Sequence, residues 1–216
     1  MKLLVIFTLF IGFSYLADAQ YDRFCFGVNG EYKFYESSIQ VDSISYNFKG
    51  FGSSSLFGLG FKRSIGYVDN LLNIGVIVQY GSGDYYGETK GVDKFRNYHV
   101  GAILDYEKSI GLRSTAHPYS TYPIANIGVN YLWQALEFKS LNRSIGEVNQ
   151  TFFKANNPRV LIGGGVRMYS KKEYKGTLKV NFYYDIPSNK WTSSRDEFTI
   201  KTIDSYGIRL SYSVSN

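Results

Sequence analysis

The stretch Phe24-Cys-Phe-Gly-Val-Asn-Gly-Glu-Tyr-Lys-Phe34 alternates without a break. One face carries Phe24, Phe26, Val28, Gly30, Tyr32 and Phe34; the other carries Cys25, Gly27, Asn29, Glu31 and Lys33. A period of two puts successive side chains on opposite faces, so the stretch reads as a strand. The same period recurs in Phe57–Lys62, Leu72–Tyr80, Tyr98–Glu107, Ile124–Trp133, Val160–Tyr169, Leu178–Asp185 and Tyr206–Val214. Eight alternating segments make an all-β chain.

Alternation alone does not say which face looks inward. In a soluble barrel the apolar face forms the core, whereas in a membrane barrel it meets lipid and the lumen is polar. The polar faces here are built mainly of Gly, Asn and Ser, with single charges of both signs. That composition suits a narrow lumen, where small residues leave room for neighbouring Arg and Glu side chains. Aromatic residues sit at segment ends. Tyr80, Tyr131, Trp133, Tyr184 and Tyr206 read as an outer belt, and Phe24, Tyr67, Tyr122 and Tyr212 as an inner one. Tyr98 and Tyr106 bound one apolar face; eight residues at ~3.3 Å each and ~40° tilt span about 20 Å, near the ~25 Å band of membrane barrels. The expected fold is an eight-stranded antiparallel up-and-down transmembrane β-barrel. Gaps at 36–50, 81–94, 134–157 and 187–199 read as long polar external loops, those at 63–70 and 170–175 as short internal turns, and 108–120 as intermediate. All four prolines fall in these gaps or at segment ends.

Lys2 followed by the apolar run Leu3–Phe13 and by Ala17-Asp18-Ala19 has the form of a cleaved export signal, giving residues 1–19 as signal peptide and 20–216 as the barrel domain. No later segment has 18 consecutive apolar residues, which excludes helical spans and leaves a β-barrel open. One Cys among 216 residues rules out a disulfide framework and Cys-rich metal sites. The net charge of +6 comes without a basic run longer than Lys171-Lys172, so nucleic acid is not an expected partner.

On these features the chain resembles the small eight-stranded outer-membrane β-barrel family, in particular the Bacteroidetes-type outer membrane protein beta-barrel domain. The resemblance covers roughly residues 22–214 and is carried by the alternation, the Ala17-Asp-Ala-Gln20 signal ending and the closing Tyr206-Gly-Ile-Arg-Leu-Ser-Tyr-Ser-Val214. It implies a cell outer-membrane location and a closed barrel, with no single activity. Many such barrels end in an aromatic residue, whereas this chain ends Val214-Ser215-Asn216, leaving Tyr212 as the nearest counterpart.

Eight strands enclose a lumen only wide enough for side chains. Glu31, Lys33, Asp105, Glu107, Arg167, Lys179, Asp185 and Arg209 are expected to form a polar network that plugs it. Asp105 and Glu107 share a face as any strand neighbours two apart do, and neither His99 nor His117 has a Ser and acid arranged around it. No catalytic, cofactor-binding or metal-binding residue is expected, and the chain reads as non-enzymatic. Cys25 is expected to be a buried filler. The longest external loop, 134–157, carries Leu136, Phe138, Phe152 and Phe153 as an expected contact surface. The expected role is structural, adhesive or partner-docking, with lipid around a monomeric barrel and envelope or extracellular proteins at its loops. Two alternatives stand beside it. One is a secreted lipocalin-like barrel with Phe26, Ile74, Val100 and Phe182 lining a ligand cavity; the other is a membrane component of a protein-secretion apparatus.

Overall fold

The computed structural model describes residues 21–41, 46–67, 69–87, 92–111, 119–138, 151–170, 173–187, 191–194 and 198–215. The expected signal segment and His117 lie outside them. Eight long strands, β1 (Tyr21–Val41), β2 (Tyr46–Gly66), β3 (Asn70–Gly87), β4 (Val92–Ser109), β5 (Tyr119–Phe138), β6 (Thr151–Ser170), β7 (Glu173–Asp185) and β9 (Phe198–Ser215), pair with their neighbours in antiparallel order. A two-residue piece, β8 (Thr192–Ser193), interrupts the connection from β7 to β9. Pairing of β1 with β9 closes the sheet. The fold is the eight-stranded antiparallel barrel expected from the alternation.

The register fixes its dimensions. Starting at Asp185 and stepping one way through Ser205 leads to Tyr35 on β1. Stepping the other way through Arg159, Asn130, Ile103, Gly75 and Lys62 leads to Cys25. The circuit therefore returns ten residues out of step on β1. With eight strands ~4.8 Å apart and ~3.3 Å per residue, that stagger requires a tilt of about 40° and a backbone radius of about 8 Å. Side chains can fill such a bore.

Outward positions are apolar along a band. On β1 it runs from Phe24 to Phe34, with the charged Asp22 and Glu36 next on the same face; at this tilt its height is about 25 Å, the span of a bilayer's hydrocarbon. Phe26, Ile74, Val100 and Phe182 all face outward, Phe182 with 59% of its surface exposed, so the ligand-cavity arrangement is overturned. Stacked or tilted rings mark the band's edges: Phe24 on Phe61 at 5.4 Å below, and Tyr80 on Tyr98 at 5.2 Å and Phe34 on Tyr206 at 5.4 Å above. Tyr122 does not belong to the lower belt. It shares the inward parity of Ile124 and meets Tyr169 edge-on inside the lower mouth.

Past the upper belt the strands continue and the polarity reverses. Tyr35, Tyr85, Phe95, Leu136, Phe138, Phe153 and Ile203 pack together inside, while Ser55, Ser82 and Lys94 face out. Of the stretches expected as long loops, 36–41, 46–50, 81–87, 92–94, 134–138 and 151–157 are strand. Leu136, Phe138 and Phe153 are buried in this cluster instead of forming an external surface; Phe152 faces outward, half-buried. An aromatic core with small and charged residues on the outer face is the pattern of a sheet whose outer face is solvated. β7 stops at Asp185, and β8 fills the edge it leaves by pairing with Phe153 and Lys154, bringing Trp191 against the cluster. At the opposite end Gly66, with φ of 138°, makes the tight turn to β3 that a side chain would strain.

Candidate functional site: the charged lumen

Inward parity gathers the polar residues of all eight strands on the axis, in two layers. The upper layer centres on Arg159 of β6, which has no exposed surface. Its guanidinium donates to Glu31 Oε2 at 2.8 Å and Oε1 at 3.0 Å, and to Asp185 Oδ1 at 2.5 Å and Oδ2 at 3.2 Å. Arg209 also donates to Glu31 Oε1. Lys33 pairs with Asp185 at 2.6 Å and donates to Gln134 Oε1 at 2.8 Å; Ser205 donates to Asp185 at 2.8 Å. The Arg159 guanidinium also lies 3.8 Å from the centre of the Tyr183 ring. Forked donation to two carboxylates is the geometry that offsets desolvation of buried charge.

The lower layer is built on Asp105 and Glu107 of β4. Lys179 bridges both, donating to Asp105 and, at 3.0 Å, to Glu107. Arg167 donates to Glu107 Oε2 at 2.8 Å, and Lys62 stands 3.5 Å from its Oε1. Asn73 donates to Glu107 at 2.8 Å and Asn126 to Asp105 at 3.0 Å. Among the described residues the upper layer holds three cations, Lys33, Arg159 and Arg209, against Glu31 and Asp185, and the lower layer gathers Lys62, Arg167 and Lys179 on Asp105 and Glu107. Below the band, exposed Arg63 donates to Asp22 through a fork of 2.7 and 2.5 Å, and this hydrogen bonding holds the Asp22 carboxyl below the usual range.

The structure places Glu31, Lys33, Asp185 and Arg209 in the upper layer and Asp105, Glu107, Arg167 and Lys179 in the lower one. Sequence reading left out Arg159 and Lys62. Arg159 lies just before the segment Val160–Tyr169, next to Pro158; continuing the parity of Arg167 back through Gly165, Gly163 and Leu161 reaches it. Cys25 is buried beside Ser64, and His99 is buried with Nδ1 3.2 Å from Gln79 Oε1.

Glycines make the space. A Cβ on Gly207 would press on the backbone carbonyl oxygen of Tyr32 and stand 2.6 Å from the Tyr183 hydroxyl, so the paired strand and the ring that covers Arg159 must both shift. Gly207→Ala is expected to cost about 1–3 kcal/mol as overpacking, measured as a lower heating temperature at which the folded gel band gives way to the unfolded one.

An apolar exterior around a charged bore is the construction of an outer-membrane β-barrel, the class this fold defines. No family model matches the chain, and neither does any curated protein. Among solved structures it is similar to the outer membrane protein OprG from Pseudomonas aeruginosa, at 14% identity over 91% of this chain and 97% of that one, with a TM-score of 0.51. Two others are Neisserial surface protein A, at 16% identity, 88% and 97% coverage and a TM-score of 0.43, and Ail of Yersinia pestis in complex with the heparin analogue sucrose octasulfate, at 13%, 88%, 99% and 0.33. The likeness to OprG shows a shared barrel fold.

Proposed function

We propose that this chain is exported through a cleaved signal, inserts in the bacterial outer membrane as a monomeric barrel of the Bacteroidetes type, and presents a rigid sheet-built extension outside the cell. It is a docking protein without enzymatic activity, and its lumen is plugged by the two ionic layers and the aromatic cluster above them. The observation that carries this reading is the reversal of polarity at the upper belt: apolar outside and charged inside along the band, then mainly polar outside, save the Phe51–Tyr86 pair and Phe152, and aromatic inside beyond it. Only a barrel that leaves hydrocarbon for water part-way along its axis gains by such a switch.

With Leu136, Phe138 and Phe153 inside, the contact surface moves to the outer wall of the extension. There Phe51, 63% exposed, stacks on Tyr86 with ring centres 5.2 Å apart. This pair stands six residues beyond Tyr80, about 15 Å above the belt at the tilt derived above. Exposed stacked rings at that height offer an apolar platform for an envelope or extracellular protein.

Ser82, outward and exposed on β3, tests the orientation. In intact cells Ser82→Cys is expected to react with a membrane-impermeant maleimide, while the buried Cys25 of the parent chain stays unlabelled. Labelling of the variant only after the outer membrane is opened would reverse the assignment of ends. Extracted into detergent, the protein should run at different positions in heated and unheated gels; identical migration would reject a closed barrel.

A further inference from the structure

Between the two ionic layers the lumen keeps a cavity of about 70 Å³. Lys62, Lys179 and Arg209 line it with one carboxylate, Asp105, and Asn126, Asn181 and Ser213 are among its other polar residues. Three facts about this lining point the same way. Among the described residues the Asn181 amide nitrogen, in a residue only 2% exposed, has no hydrogen-bond acceptor, and the Ser213 hydroxyl has no partner. The nearest carboxylate to the Lys62 ammonium is 3.5 Å away and already serves Arg167 and Lys179. Among the described residues the upper layer, to which Arg209 belongs, carries one cation more than its two carboxylates neutralise. Buried donors without acceptors and buried charge without counter-charge are both costly.

We propose that this cavity binds a small inorganic anion of halide size. A hydrated anion answers all three features, accepting from Asn181, Ser213 and Lys62 while offsetting the surplus charge. Water alone would serve the amide and the hydroxyl but leave the charge in place. The Oδ1 of Asn126, a buried acceptor without a partner among the described residues, would accept from a companion water. The volume admits a few water-sized particles and excludes a sugar phosphate or an acyl chain. Entry is from the lower mouth, where the Lys62 side chain keeps 12% of its surface exposed, because the aromatic cluster fills the upper end. The site depends on lumen geometry alone and stands whether or not the extension docks a partner.

The test uses the full chain folded in detergent micelles and exchanged into sodium gluconate. Replacing gluconate by bromide at constant ionic strength should raise the unfolding midpoint along a saturating curve, by on the order of 5–10 °C once bromide exceeds half-saturation a hundredfold. Lys62→Met should shift half-saturation at least tenfold upward. A midpoint indifferent to the anion, or one that climbs without saturating, overturns the proposal, as does a Lys62→Met variant with unchanged half-saturation. Should that variant fail to fold, crystals of the parent chain in bromide decide: an anomalous peak in the cavity beside Lys62 Nζ supports the site, and an empty cavity refutes it.

Discussion

Replacing Val76 by Arg is expected to destabilise the inserted barrel by about 2–4 kcal/mol, the cost of a cation at the bilayer midplane on the outer face of a β-barrel. Val76 is 54% exposed, lies between Phe61 and Ala102 in register, and sits four residues from both Leu72 and Tyr80. It therefore occupies the middle of the apolar band, too far from either edge for Arg to reach water without distorting the wall. Ser82→Arg on the same face of the same strand supplies the comparison, since Ser82 is beyond the belt and its substitution should stay within about 0.5 kcal/mol of the parent. Urea titration of the barrel in lipid vesicles measures both. Equal effects at the two positions would mean that hydrocarbon does not contact Val76.

The second large effect lies inside. Arg159→Met should cost about 3–5 kcal/mol, because it leaves two fully buried carboxylates short of a partner instead of removing a charge pair cleanly. Glu31 would keep only Arg209, and Asp185 only Lys33 among the cations. Arg159→Lys should recover part of the loss and not all of it, because one ammonium cannot reproduce the forked donation to both acids. The same unfolding measurement applies, and a loss under about 1 kcal/mol for Arg159→Met would remove Arg159 from the centre of the network.

The two substitutions probe what was readable from sequence and what was not. The outward face of every band segment follows from parity, because Leu72, Leu104 and Ile208 repeat the same choice on strand after strand. The upper extension was hidden because its sign changes. Tyr85, Phe95, Leu136, Phe138 and Phe153 are apolar residues on the inward parity, so the outward apolar pattern ends at the belt and the sequence beyond it resembles loop. Local composition strengthened that reading, since Ser53-Ser-Ser55 and Gly81-Ser-Gly83 look like turns. Pro158 concealed Arg159 by a similar route: taken as a strand boundary, it stands within β6 opposite Tyr131. Partner identity was beyond reach for a different reason. Arg159 and Glu31 are separated by 128 positions, and parity places both in the lumen without saying which charge meets which.

The seam between first and last strands has its own consequence for assembly. Glu31 waits for Arg209, 178 positions away, and β9 must satisfy the free edges of both β1 and β7 in one step. Until that latch engages, a nascent chain offers two unpaired margins and a layer of acids missing one of its bases. Premature termination before β9 would thus yield a sticky open ribbon ready for proteolysis, not a smaller working cylinder.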